Sequence, residues 1–118
     1  MHDFYTGFEG EAEVRFVLRA AGTDQRIVRL WIGYFDTLME TVQPENGEWT
    51  GLALPYHVRA GWYDQSPWRV ENLNEVLEQW RRIPTFGIDP QCERAYRAVL
   101  DLLTEAANTG SEVWIEYD

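Results

Sequence analysis

Lysine is absent from this chain of 118 residues, and all ten of its basic residues are arginine. Every fixed positive charge is therefore a planar guanidinium, able to grip a carboxylate through two parallel hydrogen bonds. Against them stand 20 acidic residues, for a net charge of −10 at pH 7. Nucleic-acid binders need clustered cations to displace counterions from phosphate, so direct DNA or RNA binding is not expected. Cys92 is the only cysteine, which rules out an intrachain disulfide and a cysteine-based metal site and fits a reducing compartment. No apolar run approaches the roughly 18 residues of a membrane span. The opening MHDFYTGFEGEAE lacks the basic and apolar regions of a signal peptide. A cytoplasmic globular protein without a membrane partner is the expectation.

The usual catalytic signatures are missing too. His2 and His57, the two histidines, stand alone, with no HExxH-type spacing that would bring ligands to a metal. The two serines, Ser66 and Ser111, lie outside any Gly-x-Ser-x-Gly elbow. No glycine-rich loop opens a helix in the manner of a nucleotide site. No metal, cofactor or catalytic residue is assigned, and a non-enzymatic role is expected. One alternative remains open in the stretch YHVRAGWYDQSPW (residues 56–68): His57 as a general base, oriented by Asp64, with Arg59 stabilising an anion.

A length of 118 residues fits one domain, 1–118, able to bury roughly two-thirds of its unfolded surface. Ala12, Val14, Phe16, Leu18 and Ala20 alternate with Glu11, Glu13, Arg15 and Arg19, the pattern of a half-buried strand; Val17 alone breaks the polar side, and a helix using Val14, Val17, Leu18 and Ala21 is the alternative. From Thr23 to Pro44, Arg26, Arg29, Gly33, Asp36 and Glu40 recur at spacings of three and four. That stripe predicts a largely buried helix capped by Thr23 or Asp24, with a central strand through RLWIGYF as the alternative. Leu52, Leu54, Tyr56, Val58, Ala60 and Trp62 alternate again, suggesting one bent strand or two short ones broken near Pro55. Asn72 with Glu75 resembles a capping box ahead of a short helix through Leu73, Val76, Leu77 and Trp80. A further helix opens at Asp89–Pro90 and closes at NTG (residues 108–110), and SEVWIEYD reads as a last strand. The order predicts an α+β fold with helices packed on a small, mostly antiparallel sheet.

Aromatic residues are plentiful, with six tryptophans and six tyrosines. Trp31 and Trp80 lie on helix faces predicted to be buried, where core packing accounts for them. Trp49, Tyr63 and Trp68 instead sit in or beside turns, close to Glu45, Glu48 and Asp64. They serve either as lids on the core or as contact residues, since interface hot spots are enriched in tryptophan and tyrosine. Apolar rings circled by negative charge suit a basic protein. The acidic field would speed its association toward about 10⁸–10⁹ M⁻¹s⁻¹ at low salt. The expected partner-binding set is Asp36, Glu40, Glu45, Glu48, Trp49, Tyr63, Asp64 and Trp68.

In size, acidity, α+β pattern and lack of catalytic motifs the chain resembles the small acidic bacterial immunity proteins of polymorphic and contact-dependent toxin systems. That resemblance implies an inhibitor that binds a cognate toxin tightly and occludes its surface, with no turnover and no cofactor. Beside it stand the small acid/base enzyme centred on His57 and a structural or regulatory subunit whose aromatic surface joins copies of the chain.

Overall fold

Residues 2–58 and 67–117 are described by the computed structural model. A short strand β1 (His2–Phe4) is followed by β2 (Glu13–Ala20), the alternating segment expected from its sequence. Ala21 and Gly22, both at positive φ (54° and 76°), make a two-residue turn into β3 (Thr23–Trp31). Positive φ at both central positions matches the right-handed twist of paired strands, which is why such hairpins favour glycine. The chain then enters α1 (Ile32–Met39) directly and, after a loop, the short α2 (Ala53–Val58). Next come β4 (Trp68–Arg69), α3 (Leu73–Arg81), α4 (Pro90–Thr109) and β5 (Glu112–Tyr117). The sheet order is β1-β3-β2-β5-β4, antiparallel except for the parallel β1–β3 pair. This is the expected α+β fold. Among the described residues no helix is long and apolar enough to cross a membrane.

Three expectations are corrected. The helix predicted from Thr23 to Pro44 is strand up to Trp31 and helix only from Ile32. Thr23 and Asp24 thus begin a strand and cap no helix. The three-and-four spacing that suggested one polar helix face places Arg26 and Arg29 on opposite faces of β3. Arg29 reaches Glu13 on the outer face (2.8 Å), and Arg26 reaches Glu105 of α4 (2.7 Å). Pairing with β2 along the whole of β3 overrides the local pattern. Residues 53–58, predicted as strand, are helical, with Pro55 in the first turn, where a missing N–H costs nothing. The capping box at Asn72 does not form. Asn72 makes no side-chain cap, and Glu75 instead accepts from the Gly51 N–H at 3.0 Å.

The helices cover one face of the sheet. Phe16 of β2 meets Phe35 of α1 and Trp80 of α3, while Trp80 lies parallel to Tyr96 of α4 and donates its indole N–H to the Tyr96 carbonyl at 3.0 Å. Val14, Leu18, Val28, Leu30, Val113 and Ile115 complete the buried side of the strands. Asp89 caps α4 by accepting from the N–H groups of Gln91 and Cys92, Pro90 occupies the first turn, and Gly110 ends the helix at φ 68°.

The other face of the sheet is built from charge. Arg15 and Arg29 both bind Glu13, a residue only 7% exposed, and Arg15 also holds Glu116 at 2.8 Å. Val17, the residue that breaks the polar side, is fully buried there between its cross-strand neighbours Ile27 and Trp114. Arg19 lies 4.8 Å over the Trp114 ring. At one end, Phe8 stacks on Trp31 (4.0 Å, 4° between planes) and Tyr34 meets both rings edge-on. Trp31, expected on a buried helix face, is instead the half-buried last residue of β3.

Candidate acidic binding surface

Behind α1 the chain turns sharply at Asn46 and Gly47, both at positive φ (52° and 81°), and Glu45 and Glu48 exchange two backbone hydrogen bonds across them (2.8 and 2.9 Å). The Asn-Gly pair adopts this geometry at little strain. Both glutamates are thereby fixed at the rim of a tight, exposed turn. The Glu45 carboxylate is hydrogen-bonded to Arg82 at the end of α3. Glu48 carries no ion pair or side-chain hydrogen bond among the described residues, and neither does Glu40 at the end of α1.

Trp49 follows the turn, partly buried against the core, and lies flat on His57 of α2 (3.7 Å, 18°). Helical spacing places exposed Leu54 (48%) on the same side of α2 as His57. Asp36 accepts a hydrogen bond from the Tyr56 hydroxyl at 2.7 Å, tying α1 to α2. Gln79 of α3 pins the loop ahead of α2. It accepts from the Leu52 N–H (3.0 Å) and donates to the Thr50 carbonyl (2.7 Å). Between this loop, the end of α1 and α3 lies a cleft of about 280 Å³, with Val42, Pro44 and Ile83 as its apolar part and Gln79, Glu45 and Arg82 as its polar part.

Of the residues expected to bind a partner, Asp36, Glu40, Glu45, Glu48 and Trp49 thus gather along α1, the turn and the stacked ring. Trp68 lies in β4, opposite Ile115 and partly buried against the core. Tyr63 and Asp64 lie outside the described residues, as does Arg59, so the His57 triad is represented by His57 alone. His57 is exposed and, among the described residues, has no hydrogen-bond partner. Among the described residues no group of three or more histidine, cysteine or acidic side chains is placed to hold a metal. Burial pushes the Cys92 thiol up to about 11, with the nearby Asp89 charge acting in the same direction.

Comparison with protein-family models, curated proteins and solved structures finds no match to this chain.

Two contributors were not singled out from sequence. Leu54 falls in the strand expected from sequence, and only the helix puts it on the same side as His57. Gln79 sits within a helical stripe whose apolar members drew attention, yet a glutamine flanked by Glu78 and Trp80 at the edge of such a stripe is well placed to satisfy loop backbone.

Proposed function

We propose that this chain is a non-catalytic binding protein that docks a basic protein through the acidic shoulder formed by α1, the Glu45–Glu48 turn and α2. A toxin neutralised by occlusion is the partner that best suits such a surface. What carries the reading is the distribution of charge. Every described carboxylate on a strand, namely Asp3, Glu13, Asp24, Glu112 and Glu116, is ion-paired with arginine. On the shoulder, Glu40 and Glu48 keep their charge free among the described residues, as Glu11, Glu71 and Asp101 do elsewhere, but Glu48 does so next in the chain to Trp49, which stacks on His57 of the helix that also exposes Leu54. Free carboxylates around an apolar patch attract and orient a cationic surface, while ion-paired ones are already neutralised.

The roles differ along the shoulder. Glu40 and Glu48 steer, because exposed rim charges act mainly on association rate. Trp49 and Leu54 supply apolar contact. Glu45 can exchange Arg82 for a cation brought by the partner, whose aliphatic stem would lie along Val42, Pro44 and Ile83 in the cleft. Asp36 acts through Tyr56 to hold α2 in place. An immunity role calls for this kind of surface, since a toxin site that takes an anionic substrate is itself cationic.

The test begins with the product of the adjoining gene, or with a partner captured from the native cell, followed by stopped-flow association over a range of salt. The expected rate falls steeply as salt rises, and the double variant Glu40→Arg, Glu48→Arg slows association at least tenfold while its thermal melt stays unchanged. An association rate insensitive both to salt and to that reversal would reject the shoulder as the docking surface.

A further inference from the structure

The loop from α3 to α4 presents a phenyl ring to solvent. Phe86 is fully exposed (101%), whereas Phe16 and Phe35 are buried and Phe4 and Phe8 are partly covered. Singly exposed apolar residues are ordinary on protein surfaces. Phe86 is covered by nothing. It stands at the corner of a turn closed by the Ile88 N–H and the Thr85 carbonyl (3.4 Å), with Gly87 at φ 81°. Such a turn needs positive φ at its third residue, which glycine supplies without strain.

Both ends of the loop are fastened. Ile83 is buried, with its N–H on the Trp80 carbonyl (3.2 Å), and Ile88 packs against the core just before the Asp89 cap and Pro90. A ring held out on a short, clamped loop loses little conformational freedom when a partner covers it, which is the condition for an efficient anchor. Ile83, three positions before Phe86 in the chain, also lines the 280 Å³ cleft beside Glu45.

We infer that Phe86 is an interface anchor that inserts into an apolar socket on the basic protein docked by the acidic shoulder; this rests on the binding reading given above. Charge selects the occupant. A second copy carries the same overall net charge of −10, so it and an anionic bilayer are both repelled by the chain as a whole. A cationic protein surface containing an apolar socket is attracted by the one feature and filled by the other.

The full chain carrying p-benzoylphenylalanine at position 86, expressed in its native cell and irradiated, tests this, with the same photoreactive residue at exposed position 108 as control. The expected adduct forms at position 86 alone, with a protein of isoelectric point above about 9. With that protein purified, Phe86→Ala weakens Kd at least about thirtyfold, as for an interface hot spot, and leaves the melt unchanged. No adduct above the control, an adduct with a second copy, or unchanged affinity for Phe86→Ala overturns the inference. So does co-sedimentation with neutral phosphatidylcholine vesicles that is lost in Phe86→Ala, since it would make the ring a bilayer contact. If Phe86→Ala weakens binding and the reversal at Glu40 and Glu48 does not, the anchor stands and the shoulder falls; the opposite pattern removes the anchor alone.

Discussion

Replacing Gln79 by methionine keeps the volume and removes both hydrogen bonds that fix the loop ahead of α2. The Leu52 N–H, on a residue only 1% exposed, would lose its acceptor, and the Thr50 carbonyl would lose its donor. A buried donor left unsatisfied costs about 1–3 kcal/mol, and losing the second bond adds about 1 kcal/mol, so the variant should lose about 2–4 kcal/mol. For a chain of this length 1 kcal/mol moves Tm by about 4 °C, which predicts a fall of about 8–16 °C. Circular dichroism melts measure the global loss. Amide exchange at Leu52 locates it, because that N–H should lose protection before the strands do. Glu75→Gln is the control: its bond to the Gly51 N–H is exposed, so it should cost no more than about 1 kcal/mol. A Gln79→Met protein melting within about 3 °C of the parent, with Leu52 still protected, would refute the claim that this side chain holds the shoulder together.

Two further outcomes follow from the packing. A Cβ at Gly33 would stand 2.4–2.6 Å from three ring carbons of Trp31, so Gly33→Ala should displace that ring and its Phe8 stack and cost about 1–3 kcal/mol. Urea titration and near-ultraviolet circular dichroism would report it, and an unchanged aromatic spectrum would contradict it. Cys92, held protonated to about pH 11 in the fold, should resist thiol reagents at pH 8 until the protein unfolds. The unfolded thiol ionises near pH 9 and the folded one near 11, so rising pH favours the unfolded chain and stability should decline across that interval. The loss is up to about 2–3 kcal/mol from this group. Burial raises Tyr34 and Tyr96 as well, adding to the decline in the same direction. Alkaline melts of Cys92→Ala compared with the parent isolate the thiol's share, and parallel curves from pH 8.5 to about 11 would contradict it.

Legibility in the sequence followed the range of the interactions involved. Strand β2 and the start of α4 could be read directly, because alternation and an Asp-Pro start act over a few residues. The Thr23–Trp31 segment could not. Its polar residues have helical spacing, and strand wins only through partners contributed by β2 and β1. The stretch through Leu54 and Tyr56 failed for a related reason: the apolar residues alternate from Leu52 to Trp62, yet residues 53–58 are helical, and the bonds from Gln79 and Glu75 that hold the preceding loop come from more than twenty positions away. Among the candidate site residues, the cluster of acids around the turn was visible. That Glu45 is paired and Glu48 free was not, since it depends on where α3 delivers Arg82.

Composition and local pattern by themselves determined the acidity, the arginine-only positive charge, the α+β class and the ends of α4, because each is a property of single residues or of neighbours in the chain. Tertiary structure alone decided which carboxylates are neutralised, which rings reach solvent and how Phe86 comes to stand out from the surface. The physical reason is that ion pairing and burial depend on distances between side chains remote in sequence. The same glutamate is a steering charge or half of a salt bridge according to what the fold sets within 4 Å of it.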